Sequence, residues 1–142
     1  MFDLDGTLAD VEHRRDYVKT KPRNWKAWNA AIPEDTVKQP AGYLNKLLHD
    51  VPNVDIIICS GRSDDTKDVT LKWLADHKIH YDEIYMRKDG DYRDDRVVKQ
   101  EMLDKLHADG RTILFVLDDR DKVVKMWRDN GIPCLQVDYG DF

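Results

Sequence analysis

The sequence predicts an α/β protein in which helices flank a parallel β-sheet. From residue 54 onward, short apolar runs alternate with amphipathic segments. The runs at 54–59 and 112–117 are almost continuously apolar, which is typical of parallel strands covered by helices on both faces. A chain of 142 residues also has the usual length for one hydrophobic core. We therefore expect a single domain over 1–142.

The first half of the chain predicts a strand, an insert and a helix. The first strand is short, because only Met1 and Phe2 precede Asp3. The stretch that follows is rich in proline, tryptophan and basic residues and predicts a small helical insert at about 11–38. A helix is then expected at 38–50, where an apolar stripe would pack on the sheet. The stripe consists of Tyr43, Leu44, Leu47 and Leu48.

The second half predicts a regular alternation of the two element types. Strands are expected at 54–59, 83–86, 112–117 and 134–137, and helices at 64–77, 94–108 and 121–130. Aspartates are expected to cap the first two of these helices, because a carboxylate accepts hydrogen bonds from free backbone amides. The candidate caps are Asp64 or Asp65 and Asp94 or Asp95, and Gly110 and Gly131 follow helix ends.

Composition excludes some functional classes. A net charge of -5 argues against a protein that grips long nucleic acid through a generally positive surface, although a local basic groove is compatible with it. No apolar run is long enough to cross a bilayer, and no secretory signal is recognisable, so we expect an intracellular, cytoplasmic protein without a membrane partner. Cys59 and Cys134 are far apart and are expected to be buried free thiols.

Polar side chains stand at the carboxyl ends of three apolar runs. Asp3, Ser60 and Asp118 each lie at or just beyond such an end. Because open parallel sheets bind ligands outside the carboxyl ends of their strands, these three residues are expected to converge.

The segment Asp3-Leu4-Asp5-Gly6-Thr7 is the candidate catalytic motif. Its two carboxylates suit a nucleophile and a proton-transferring group, and Gly6 and Thr7 suit a turn that leaves a strand. The same residues also fit a plain acidic turn or the start of a calcium loop. The calcium loop requires a further acidic pattern ending in Glu, which residues 8–12 do not provide.

The other candidate positions each allow a second interpretation. Ser60-Gly61-Arg62 can hold a phosphate oxygen or form an ordinary helix turn. Adjacent Asp118 and Asp119 repel one another unless a cation such as Mg²⁺ lies between them, whereas Asp121 is better explained as a helix cap. Lys99 can point toward the pocket, but periodicity alone favours a solvated helix lysine.

Together these positions resemble the four motifs of haloacid dehalogenase (HAD) phosphohydrolases, whose fold is Rossmann-like. The motif positions are Asp3-Leu4-Asp5-Gly6-Thr7, Ser60, Lys99 and Asp118-Asp119. Further stretches look like the phosphatase domain of the phage polynucleotide kinase/3′-phosphatase. They are Ser60-Gly61-Arg62, residues 87–93, Val97-Val98-Lys99, Asp118-Asp119-Arg120, residues 124–128 and Gly140-Asp141-Phe142.

The resemblance implies a two-step hydrolysis. Asp3 would attack phosphorus to form an aspartyl-phosphate, and Asp5 would act first as general acid and then as general base. Mg²⁺ would be held by Asp3, the main-chain carbonyl of Asp5, Asp118 and Asp119. The implied phosphate- and substrate-binding set is Thr7, Ser60, Gly61, Arg62, Arg87, Lys99 and Arg120.

Three functions are compatible with the sequence. The first is removal of 3′-terminal phosphates from DNA or RNA during end healing, in which Trp25 and Trp28 either stack bases or pack the insert onto the body. The second is hydrolysis of nucleotides or other small phosphoesters. The third is a module that binds nucleic-acid ends without catalysis. No GxxxxGK[ST] loop is present, so a kinase activity would require a domain outside this chain.

Overall fold

The computed structural model describes residues 1–140 and has the predicted α/β architecture. The strands are β1 (Ala9–Asp10), β2 (Thr36–Val37), β3 (Ile57–Ser63), β4 (Glu83–Arg87), β5 (Val116–Asp118) and β6 (Cys134–Gln136). The α-helices are α1 (Asp16–Lys19), α2 (Trp25–Ala30), α3 (Ala41–His49), α4 (Lys67–Asp76), α5 (Asp95–Ala108) and α6 (Asp121–Asp129). Short 3₁₀ turns occupy Glu12–Arg14, Ile32–Glu34 and Asp64–Thr66.

The main sheet is parallel, and the short first segment lies at its centre. β3 pairs with β4, and β5 pairs with β6. Phe2 bridges the two halves, because it pairs in parallel with Ile58 on one side and Leu117 on the other. The spatial order is therefore β4, β3, the Phe2 segment, β5 and β6. These two single-residue pairings of Phe2 place the next residue, Asp3, between β3 and β5.

Helices cover both faces of this sheet, as the apolar runs predict. Alternate residues of β3 and the segment before it point to opposite faces. Ile56 and Ile58 pack with Trp73 and Leu74 of α4. Ile57 and Cys59 pack instead with apolar residues of α5. The helices α3 and α4 thus lie on one face, and α5 and α6 lie on the other.

The segment in which the sequence predicts an insert lies between two short strands. β1 pairs antiparallel with β2, and the segment between these two strands contains α1 and α2. Trp28 is partly buried against the core, so the packing interpretation is correct for this residue. Trp25 lies edge-on to Trp28 with ring centroids 6.4 Å apart, but 51% of its surface remains exposed.

Several element boundaries differ from the prediction. The strand predicted at 54–59 runs instead over Ile57–Ser63, and the helix predicted at 64–77 begins at Lys67 after a 3₁₀ turn. The strand predicted at 112–117 is reduced to Val116–Asp118. Among residues 1–140, the strand pairing in this region involves Val116–Asp118 and not 112–114, and the Met1 ammonium group donates to the carbonyl of Phe115. Apolar composition therefore overestimates this strand.

Some predicted helix details are also wrong. In α3 the exposed residues Tyr43 and Leu47 do not belong to the packing stripe, which uses Leu44 and Leu48. No side-chain cap forms at Asp64 or Asp65, and Asp121 is the first residue of α6 rather than its cap. Other details are confirmed. They are the capping of α5 by Asp94, the glycines after α5 and α6, and the burial of Cys59 and Cys134 as free thiols.

None of the helices within residues 1–140 combines the length and the apolar character that a bilayer crossing requires.

Candidate active site

The predicted convergence at the carboxyl edge of the sheet is present. The Cys59 amide donates to the Phe2 carbonyl at 2.9 Å, and the Asp3 amide donates to the Leu117 carbonyl at 3.0 Å. Asp3 therefore lies between the end of β5, which carries Asp118, and the part of β3 that carries Ser60. Residues separated by more than fifty positions in sequence meet at one edge.

Three buried carboxylates form what we call the acidic cluster, which consists of Asp3, Asp118 and Asp119. Each offers one oxygen, and these oxygens all lie within 4.8 Å of one another. Asp119 also approaches the turn after Asp5 closely. A Cβ atom on Gly6 would lie 2.2 Å from its Oδ2, and Gly6 has a φ of +87°. Only glycine fits both the backbone conformation and the space at this position.

Lys99 is the cation that faces the acidic cluster. Its Nζ donates to Asp3 Oδ1 and to Asp118 Oδ2, each at 2.7 Å. Only 3% of the residue is exposed, so the solvated interpretation that periodicity favours is wrong. The apolar face of α5 packs on the sheet and brings Lys99 with it, and two carboxylates compensate for the burial of its charge.

The electrostatics of the acidic cluster show an excess of negative charge. Burial is the largest influence on Asp3 and raises the pKa of its carboxyl well above the usual range, and Lys99 only partly opposes this. Burial and the Asp118 charge raise the pKa of Asp119 to about 6. Burial lowers the pKa of Lys99, but Asp118 and Asp3 outweigh it and leave the value raised. One lysine does not balance three carboxylates.

A second group of ionisable residues lies beside the acidic cluster, and we call it the arginine network. It consists of Asp5, Arg14, Asp35 and Arg62. Asp5 Oδ1 accepts from Arg62 Nε at 2.9 Å and from Arg14 Nη2 at 2.8 Å. Burial alone would raise the pKa of Asp5, but the guanidinium groups of Arg62 and Arg14 outweigh it and hold the value below the usual range.

Asp35 anchors the arginine network inside the protein. Its Oδ1 accepts from Arg14 Nε at 2.7 Å and from His13 Nε2 at 2.9 Å. Its Oδ2 accepts from Arg14 Nη2 at 2.6 Å and from Arg62 Nη2 at 2.9 Å. The backbone is fixed as well, because Trp73 Nε1 donates to the Asp35 carbonyl at 2.8 Å. The network therefore connects the insert to the main sheet.

The sequence pattern does not mark Arg14, Asp35 or His13 as site residues. Arg14 is one of several basic residues in the insert, and Asp35 follows a proline and a glutamate in an irregular stretch. Neither lies at a predicted strand end. These residues reach the site only because the insert folds back onto the sheet, and the local sequence pattern does not predict that fold.

The remaining motif residues occupy the edge of the site. Ser60 is fully buried, and its Oγ accepts from the Arg62 amide at 3.1 Å. Ser60, Gly61 and Arg62 lie within β3, so the predicted turn into a helix is wrong here. A Cβ atom on Gly61 would lie 2.7 Å from Asp95 Oδ1. Thr7 is buried, and its Oγ1 has no hydrogen-bond partner among the described residues.

Arg87 and Arg120 meet at a different point, on the carboxylate of Asp95. Arg87 pairs with Asp95 Oδ1, and Arg120 pairs with Oδ2. Arg87 also donates through Nε to the Gly61 carbonyl at 2.9 Å. Both side chains retain some exposure, at 13% for Arg87 and 28% for Arg120. They lie beside the Gly61 segment, outside the acidic cluster.

The acidic cluster has the donor set of a hard divalent cation. All its ligand atoms are carboxylate oxygens, which Mg²⁺ prefers. The Oδ2 of Asp119 is buried and has no hydrogen-bond partner among residues 1–140. A buried carboxylate oxygen without a partner costs free energy unless a cation or a donor satisfies it. The residues therefore fit a bound magnesium ion.

Comparison with known proteins agrees with this geometry. Residues 1–142 match the family described as "Polynucleotide kinase PNKP phosphatase domain". A curated relative from Autographa californica nuclear polyhedrosis virus, named "Putative bifunctional polynucleotide kinase/RNA ligase", is 26% identical over 136 residues. That similarity covers 95% of this chain and 18% of the relative.

Two solved structures are more similar in sequence. A chain in "Structure of the Pnkp1/Rnl/Hen1 RNA repair complex" is 34% identical, with a TM-score of 0.85, over 99% of this chain and 42% of that chain. A chain in "Structure of Pnkp1/Rnl/Hen1 complex" is also 34% identical, with a TM-score of 0.84, over 99% of this chain and 46% of that chain. The chain thus spans less than half the length of these relatives.

Proposed function

The chain belongs to the family of polynucleotide kinase PNKP phosphatase domains, a HAD-type family, and on that premise we propose that it removes 3′-terminal phosphates from DNA or RNA ends. The observation that carries the proposal is the position of Asp3. It is buried at the sheet edge, within 2.7 Å of Lys99, and the Asp118-Asp119 pair lies beside it. This arrangement suits attack on a phosphoryl group by a carboxylate.

The reaction has two displacements in this proposal. An oxygen of Asp3 attacks phosphorus, the bond from phosphorus to the 3′ oxygen breaks, and Asp5 transfers a proton to that oxygen. Water then attacks the phosphorus of the aspartyl-phosphate and gives its proton to Asp5, so that phosphate leaves and Asp3 is restored. Because Arg14 and Arg62 hold the pKa of Asp5 low in the free protein, a phosphate dianion that engages these arginines would favour its protonation.

Magnesium is the proposed cofactor. Asp3, Asp118, Asp119 and the main-chain carbonyl of Asp5 would hold it, and the unpartnered Oδ2 of Asp119 supports this assignment. Bound Mg²⁺ would neutralise the repulsion between the carboxylate nucleophile and the phosphate dianion. Lys99 already lies between Asp3 and Asp118, where it would oppose the same repulsion.

The remaining residues are proposed to contact the substrate. Ser60 and Lys99 would stabilise negative charge on the transferred phosphoryl group, because both project at the edge where Asp3 lies. The proposed further contacts at this edge are Thr7, Gly61 and Arg62. Arg87 and Arg120 pair with Asp95 beside Gly61 and are proposed to contact the nucleotide next to the phosphate.

The chain is proposed to work beside other end-repair activities. The curated viral relative is named as a kinase and RNA ligase, and one of the similar structures is named as an RNA repair complex. A phosphatase next to a kinase or ligase would convert a damaged end into one that can be sealed. A kinase domain of this kind would lie outside residues 1–142.

Phosphate release from a substrate panel tests the proposal. We expect Mg²⁺-dependent release from 3′-phosphorylated oligonucleotides to exceed release from 5′-phosphorylated oligonucleotides and sugar phosphates. Asp3→Asn is expected to lower kcat by at least about 10³-fold, since it removes the nucleophile. Asp129→Asn, at the exposed end of α6, is the matched control and should retain full activity.

Two outcomes would contradict the proposal. Preference for sugar phosphates or free nucleotides would redirect the function to small phosphoesters. Unchanged release by Asp3→Asn would exclude catalysis through Asp3 and leave a module that only binds ends.

A further inference from the structure

The helical insert presents a basic and aromatic surface that the catalytic steps do not use. We propose that this surface binds the single-stranded polynucleotide that leads to the 3′-phosphate, with Trp25 stacking on a base. The inference rests on the proposed function and specifies how the substrate is held. We call the surface the cap patch, and it consists of Tyr17, Lys19, Lys21, Arg23, Trp25 and Lys26.

The charge of the cap patch is opposite to that of the whole protein. Residues 15–28 contain five basic residues and one acidic residue, whereas the complete chain has a net charge of -5. The basic residues at 19, 21, 23 and 26 are all exposed. A local positive surface on an acidic protein attracts a polyanion at that surface and repels it elsewhere.

The two aromatic residues of the cap patch are about half exposed to solvent. Trp25 is 51% exposed, and Tyr17 is 44% exposed. Arg23 lies over the Trp25 ring, with its Cζ 5.7 Å from the ring centroid. Aromatic rings interleaved with cations form the usual platform for single strands, since bases stack on the rings and phosphates pair with the cations.

A continuous line of contacts joins the cap patch to the catalytic carboxylates. Trp25 contacts Trp28, whose ring centroid lies 4.0 Å from the Cζ of Arg14. Arg14 in turn donates to Asp5 at 2.8 Å. The buried end of this line therefore touches the proposed general acid, and its exposed end is Trp25. Because this line passes through the protein, it fixes the position of Trp25 relative to the catalytic carboxylates, and a strand whose terminal phosphate reaches Asp3 would contact Trp25 from the solvent side.

The proposed ligand is a polynucleotide and not an isolated small phosphoester. A small phosphoester would be bound at the sheet edge and would not reach the cap patch, so the patch would add nothing to its affinity. Additional nucleotides supply further phosphates and bases, which match the repeated cations and rings of the patch. The patch therefore predicts that turnover depends on strand length.

The test uses four variants of the complete chain. The charge variant combines Lys21→Gln, Arg23→Gln and Lys26→Gln. The stacking variant is Trp25→Ala, and Trp25→Phe is its conservative partner. The control variant combines Lys46→Gln, Lys78→Gln and Lys125→Gln, three exposed lysines outside the insert.

The measured quantity is kcat/KM for a long 3′-phosphorylated single strand divided by kcat/KM for a nucleoside 3′-monophosphate, with DNA and RNA strands as separate arms. The charge variant and Trp25→Ala are each expected to lower this ratio about tenfold, which matches the loss of one stacked base or a few phosphate contacts. The charge variant should also flatten the salt dependence for the long strand by a slope of about 2, since each phosphate contact on a single strand contributes about 0.7. Trp25→Phe and the control variant should retain the wild-type ratio.

The outcomes distinguish strand binding by the cap patch from catalysis at Asp3. If the ratio stays at the wild-type value in the charge variant and Trp25→Ala, the cap patch does not bind the strand. If both substrates lose activity equally, the residues act only by supporting the insert, and the inference is also overturned. In either case, loss of all turnover in Asp3→Asn would leave the proposed function standing. Failure of the wild-type protein on every 3′-phosphorylated substrate would overturn the proposed function itself.

Discussion

The acidic cluster and the arginine network lie side by side but differ in charge balance. The acidic cluster places three carboxylates against one lysine, whereas the arginine network pairs two carboxylates with two guanidinium groups. The pKa of Asp3 is accordingly raised, and the pKa of Asp5 is lowered. The difference indicates that the charges of the arginine network balance one another, while the acidic cluster keeps negative charge that a further cation would balance.

Breaking the balanced network should have the largest effect on stability. Arg14→Met removes a fully buried guanidinium group and leaves the carboxylates of Asp5 and Asp35 to share the one guanidinium group of Arg62. We expect the free energy of unfolding to fall by about 3–5 kcal/mol, measured by urea denaturation. The control is Arg96→Met, because Arg96 is exposed and its Nε lies 3.7 Å from Asp94 Oδ1, so this variant should lose no more than about 1 kcal/mol. Equal losses in the two variants would contradict the charge balance of the network.

Removing one carboxylate from the acidic cluster should increase the free energy of unfolding. Asp119→Asn removes a buried carboxylate whose pKa is raised to about 6. Between pH 4 and 6 the folded state holds this proton more tightly than the unfolded state, so ionisation costs stability as the pH rises. We expect the variant in EDTA to be more stable than wild type by about 3 kcal/mol at pH 7.

The pH dependence of this stability difference between Asp119→Asn and wild type tests whether charge is its cause. The advantage of Asp119→Asn should shrink as the pH falls from 6 to 4 and vanish below the ordinary aspartate pKa, where wild type is also neutral at this position. Asp129→Asn should show no such profile. A gain that is constant from pH 4 to pH 7 would mean that amide packing, and not charge, is responsible.

Magnesium should act on the unbalanced cluster alone. At a free concentration of about 100 times its Kd, Mg²⁺ is expected to raise the free energy of unfolding of the wild-type protein by about 2.7 kcal/mol. The increment should be much smaller in Asp119→Asn, which lacks one carboxylate ligand. Equal increments in the two proteins, measured by thermal unfolding, would place the metal elsewhere.

The smallest expected effect on stability comes from threonine to valine substitutions, one made next to the acidic cluster and one next to the arginine network. Thr7→Val removes a buried hydroxyl that has no hydrogen-bond partner among the described residues, so it should stabilise the metal-free protein by about 1 kcal/mol. Thr70→Val is the matched change, because Thr70 Oγ1 accepts from Arg62 Nη1 at 3.3 Å. It should destabilise the protein by about 1 kcal/mol. Two effects of the same sign would contradict the contrast between the regions.

The accuracy of the sequence predictions differs between elements for physical reasons. The prediction that Asp3, Ser60 and Asp118 converge is successful because apolar runs mark parallel strands, and such strands align their carboxyl ends. The strand predicted at 112–117 is too long, because a strand also requires a hydrogen-bonded neighbour. Periodicity likewise misplaces Lys99, since it treats a charged residue on a packed helix as solvated whether or not a counter-charge is present.

The sequence by itself determined the α/β class, the presence of short helices between Asp10 and Thr36, and the carboxylates of the acidic cluster. Each of these follows from short-range patterns, in which the spacing of apolar residues along the chain sets which side chains share a face or a strand end. Only the tertiary structure decided that Lys99 is buried, that Asp35 and Arg14 complete the arginine network, and that Trp28 packs while Trp25 is exposed. These outcomes depend on pairing between charges and rings that are distant in sequence, and the folding of the insert onto the sheet establishes that pairing.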